Sequence, residues 1–98
     1  GGTAMQLMDE VAFITATRFT RQTVVTVSSD KIDFNKPIPA GTIIELVGQI
    51  IHLGTKSLKV GVSIYVEQMY SEHREKAIQG EFTFVAIDEQ KNPVNILK

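Results

Sequence analysis

The chain contains no cysteine, which excludes disulfides and thiolate metal sites, and its two separated histidines, His52 and His73, make no zinc site without carboxylate help. No metal and no cofactor is expected. It also lacks an excess of either charge: 10 Lys and Arg against 11 Asp and Glu leave a net charge of −1. A general attraction to nucleic acid is thereby excluded, and an anionic ligand must be held by a local group of cations. No apolar run approaches the roughly 18–20 residues of a membrane span, and the N-terminus lacks the basic-then-apolar pattern of a secretion signal. A cytoplasmic protein without membrane association is the expectation. Repeats and low-complexity tracts are absent, and so is an initiator methionine. The start on Gly1-Gly2 reads as a fragment whose upstream segment is missing.

What is present is ordinary globular text. Hydrophobic residues make up 43% and charged residues 21% of 98 positions, which fits one domain over residues 1–98. Thr3 followed by Gln6 fits a capping box and predicts a helix over residues 3–20. Four β-rich runs follow, at 23–30, 42–54, 57–69 and 77–88. In the third, Leu58, Val60, Val62, Ile64 and Val66 alternate with Lys59, Gly61, Ser63, Tyr65 and Glu67, the period of a strand with one buried face. Phe82 and Phe84 have the same spacing and are expected in the core. Short links such as "HLGTKS" favour antiparallel neighbours. One helix beside a mainly antiparallel sheet is an α+β layout.

One residue interrupts the pattern. On a helical wheel at about 100° per residue, Met8, Phe19, Ala12, Met5, Ala16 and Phe13 share one arc, and Asp9 falls inside it. Two readings stand side by side. An acid near a helix start is favoured by the helix dipole and needs no further role. A carboxylate among Met and Ala instead pays desolvation, which raises its pKa and suits a general base or nucleophile.

Five stretches, taken in order, resemble the hotdog-fold acyl-CoA thioesterases. They are Gly1-Gly2 with Met5, Met8 and Asp9; Val24-Val25-Thr26-Val27; Asp33-Phe34 with Pro37 and Gly41; Gly54-Thr55-Lys56-Ser57-Leu58; and Gly80 to Asp88. The resemblance covers nearly the whole chain. It implies a curved antiparallel sheet wrapped around one long helix, and an active site at the interface of a homodimer that in related enzymes builds trimers of dimers. The family's N-terminal strand, which carries an asparagine lent to the partner's site, has no counterpart here.

By the same resemblance, Asp9 is the general base or nucleophile, Gly1 and Gly2 the helix start beside the thioester, and fatty acyl-CoA the substrate. These residue types suit the chemistry. Thioester hydrolysis needs an activated water and support for a developing oxyanion, and a glycine-flanked helix N-terminus supplies backbone N–H groups. Thr55, Lys56 and Ser57 offer a cation and two hydroxyls to the phosphates or pantetheine of CoA, although the same letters also spell a plain turn with a solvated lysine. The alternative function is a hotdog module that binds acyl-CoA without hydrolysing it. A hotdog dehydratase would need a catalytic histidine near the helix, and neither histidine is close in sequence.

Overall fold

In the computed structural model, which describes residues 2–97, helix α1 spans Gly2–Thr20. Met8, Ala12 and Ala16 recur every fourth residue and so form one row along the helix. All three are fully buried. The two alanines let the helix lie close to the sheet. The approach is tightest at Gly48, where a Cβ would overlap Thr15 Oγ1 and come within 2.9 Å of Val11 Cγ1. At the other end Arg21 adopts a left-handed φ of 54° and its N–H donates to Thr17 O at 2.7 Å, which closes the last turn. Because the helix already includes Gly2, Thr3 stands inside the first turn and not at the cap position predicted for it.

Four strands follow: β1 Val24–Phe34, β2 Thr42–Leu53, β3 Ser57–Gln68 and β4 Arg74–Ala86. They form one sheet in the order β1-β4-β3-β2, with every neighbouring pair antiparallel. The α+β layout read from the sequence is the one observed. Leu58, Val60, Val62 and Ile64 of β3 are completely buried, as are Phe82 and Phe84 of β4 to within 1%. With the helix row they make the core.

The strand boundaries depart most from the sequence reading at the end of β1 and the start of β4. β1 continues past Asp30 to Phe34 by absorbing register slips at Thr26/Ser28 and at Asp30/Asp33, where Lys31 takes a φ of 53°. Bulges of this kind let an edge strand bend without ending. β4 begins at Arg74, ahead of the expected Ala77, because the polar Arg74, Glu75 and Lys76 pair with Glu67, Val66 and Tyr65. The Arg74 guanidinium lies 3.7 Å from the centre of the Tyr65 ring and also pairs with Glu45. Charged text that reads as a loop is here a strand with partners on its outer face.

The last residues return to the body. Ile87 bridges to Pro93, Val94 N–H donates to Ala86 O at 2.9 Å, and Ile96 is 9% exposed. Among the described residues β1 and β2 are the sheet's edges, and Val25, Val27, Ile43, Ile44 and Val47 along them are exposed.

Candidate functional site

Asp9 lies on the second turn of α1 and is exposed, not enclosed by Met and Ala as the wheel arc implied. The reason is where the buried row is centred. Met8, Ala12 and Ala16 fill its middle, while Asp9 and Phe13 form its outer margin. Val11 and Thr15 face β2 at Gly48. Asp9, about 200° round the helix from Val11, therefore faces away from β2. One turn further on, Phe13 is 47% exposed and its ring centre lies 6.5 Å from that of Phe84.

Phe84 is paired in register with Thr26 of β1. Opposed residues of an antiparallel pair share a face, so Thr26 presents its hydroxyl to the helix side of the sheet, and it is exposed there. The open margin thus carries an acid, a hydroxyl and an apolar ring. Thr26 was quoted in the sequence as part of a motif without a role. Its signal was parity: it lies two residues from buried Val24, on an edge strand, where a polar inward residue is unusual.

Gly2 is the first residue of α1, at the end where backbone N–H groups lack helical acceptors. Gly1 lies outside the described residues. A cavity of about 450 Å³ lies near this end, lined by Ala4, Leu7, Phe34, Ile38, Ile44 and Ile78 among others. Leu7 and Asp9 are two residues apart and so about 200° apart round the helix. Asp9 does not line this cavity; with Thr3, Gln6, Leu7 and Glu10 it lines a separate depression on α1.

Thr55, Lys56 and Ser57 come together at the turn joining β2 to β3, with Ser57 opening β3. The turn is held by its backbone: Gly54 N–H donates to Ser57 O at 2.8 Å, Ala86 N–H to Lys56 O at 3.0 Å and Ile96 N–H to Thr55 O at 2.8 Å. Lys56 and Thr55 are exposed. The tail that meets this turn is also bonded to Gln22, just past the helix C-terminus. The turn is therefore separated from Asp9 of the same protomer by roughly 16 Å along the helix axis. His52 and His73 are exposed. His73 bonds Glu75 at 2.7 Å, and Lys36 reaches the same carboxylate at 3.4 Å.

Comparison with known proteins agrees with this architecture. The thioesterase superfamily is matched by residues 1–72. An acyl-CoA thioester hydrolase of Zymomonas mobilis, itself uncharacterized, is 35% identical over 96 residues, covering 98% of this chain and 64% of its own. The crystal structure of the Staphylococcus aureus acyl-CoA hydrolase, solved with butyryl-CoA, CoA and CoA disulfide, superposes with a TM-score of 0.92 at 38% identity, over 98% of this chain and 58% of that one. A hexameric broad-specificity acyl-CoA thioesterase gives 0.86 at 32% identity, over 100% and 68%. The hotdog architecture expected from the sequence is thus the observed one. The chain spans 64% and 56% of the length of the Zymomonas mobilis and Bacillus subtilis relatives and 26% and 24% of the rat and human ones. By the family match and these likenesses, the chain belongs to the thioesterase superfamily.

Proposed function

We propose that this domain hydrolyses fatty acyl-CoA to the free acid and CoA, with Asp9 as the base that activates water, or as the nucleophile, at an interface with a second copy of the chain. The observation that carries the reading is the carboxylate at the margin of the helix's buried row, facing away from β2 beside exposed Phe13. Asp9 stands beyond the first turn of α1, which holds no acid, and the helix dipole acts chiefly within that turn. A partner laid against this margin would enclose Asp9 and Phe13 and exclude water from the thioester, which strengthens every charge interaction at the site.

In the proposed reaction Asp9 takes a proton from water as the oxygen adds to the thioester carbonyl. The backbone N–H of Gly2, at the start of α1, receives the developing oxyanion. The C–S bond then breaks, and the proton held by Asp9 passes to the departing CoA thiolate. Thr26 is the hydroxyl suited to hold the attacking water or the carbonyl. Thr55, Lys56 and Ser57 would meet the phosphates of CoA, with Lys56 as the point charge. Relatives support these choices in residue type: aspartate-to-alanine and threonine-to-alanine variants of the S. aureus hydrolase have been solved. Hexameric relatives support assembly beyond a monomer.

Asp9→Asn tests the reading, because it keeps size and removes the base. Turnover, followed by release of free thiol, should fall by about 10²–10⁴-fold while acyl-CoA still binds. Undiminished turnover in Asp9→Asn would remove Asp9 from the mechanism. Binding of acyl-CoA by the parent without any thiol release would favour the non-catalytic module.

A further inference from the structure

We propose that Gln22 is a positioning residue for CoA: it sets the Thr55-Lys56-Ser57 turn through the C-terminal tail without touching the ligand. The inference rests on the reading of that turn as the phosphate contact.

The geometry begins at the helix end. Thr20 is 3% exposed; its hydroxyl donates to Ala16 O at 2.9 Å and accepts Gln22 N–H at 3.2 Å. Gln22 is therefore fixed at its backbone immediately after the left-handed Arg21. Its side-chain amide then grips the tail at two points. Nε2 donates to Asn95 O at 3.1 Å, and Oε1 accepts Leu97 N–H at 2.9 Å. One planar amide thereby satisfies a carbonyl and an N–H on either side of Ile96, as a neighbouring strand would.

Ile96 completes the link. Its side chain enters the core, and its N–H donates to Thr55 O at 2.8 Å. The tail is thus held by Gln22 at Asn95 and Leu97 and hands the intervening N–H to the turn. Thr55 and Lys56 remain exposed at their side chains while their carbonyls are tied down. That is what a loop gripping a multiply charged ligand needs, because fixing its backbone beforehand reduces the ordering cost at binding.

Steady-state kinetics test this with acyl-CoA and with the same acyl group on pantetheine, which lacks the nucleotide phosphates. Gln22→Ala should raise KM for acyl-CoA by about five- to tenfold, the scale of one net hydrogen bond. It should leave kcat unchanged, and both constants for acyl-pantetheine as well. Gln22→Glu keeps the acceptor for Leu97 N–H and loses the donor to Asn95, so its KM should fall between. Equal losses on both substrates would mean general loosening and would overturn the proposal. Lys56→Glu separates the two claims. No change in KM for acyl-CoA defeats the reading of the turn, and the proposal with it. A raised KM in Lys56→Glu with none in Gln22→Ala defeats the role of Gln22 alone.

Discussion

Asp9 and Glu75 show what neighbours do to a carboxylate in this protein. Asp9 is at the edge of a packed row and was legible in the sequence as an acid out of place. Its exposure was not legible, because a wheel gives angle and not which part of the arc the sheet covers. Glu75 stood in text that read as loop, and its role depends on partners brought by the fold. The hydrogen bond from His73, then that from Lys36, holds the Glu75 carboxyl below the usual glutamate range. A lowered folded pKa gives stability that is present above the unfolded value and lost as pH falls through the folded one. Thermal unfolding should therefore show the parent above Glu75→Gln at neutral pH, with the gap closing as the solution is acidified below the ordinary glutamate range. A gap unchanged by acid would trace the effect to packing and not to charge. For Thr26 the sequence offered only its parity with Val24, and its face is fixed by the pairing with Phe84.

At the scale of elements, the helix and the alternating β3 were readable because their periods differ, and period is set by backbone geometry alone. The extension of β1 and the early start of β4 were not, because bulges and a cation over a Tyr65 ring are tertiary events. How the helix meets the sheet is decided by a residue with no side chain. Gly48 admits Thr15 and Val11 against β2, and a methyl group there must push the helix away. Gly48→Ala should cost about 1–3 kcal/mol in urea unfolding, the usual range for an overpacked contact. Gly80→Ala should cost less, since the nearest atom there is the mobile Ile32 Cδ1 and Met8 Cε stands 3.1 Å off. Equal stability of Gly48→Ala and the parent would mean that the helix rides freely on β2.

As a whole the protomer is a slab of 49 × 23 × 18 Å, with a radius of gyration of 15.0 Å, above the roughly 13 Å of a compact domain of this length. Both edge strands show apolar side chains, and Phe13, Ile14 and Tyr70 add to the uncovered surface. Exposed edges and apolar patches invite association. Light scattering at micromolar concentration should give a dimer or larger species. A monomer whose mass does not change with concentration would remove the premise of a shared site. Within the described residues no helix is long and apolar enough to cross a membrane.

The order β1-β4-β3-β2 puts the fourth described strand between the first and the third. Until β4 emerges from the ribosome, β2 and β3 can close as a local hairpin on which the helix can rest at Gly48, but β1 has no strand to pair with. Val24 must then find Ala86 from nearly the other end of the chain. Contacts so distant in sequence slow folding. The growing chain therefore holds β1 as an unpaired strand until β4 is made, and a shortage of β4 pairing would be felt first as aggregation of nascent protein, before any loss in the finished fold.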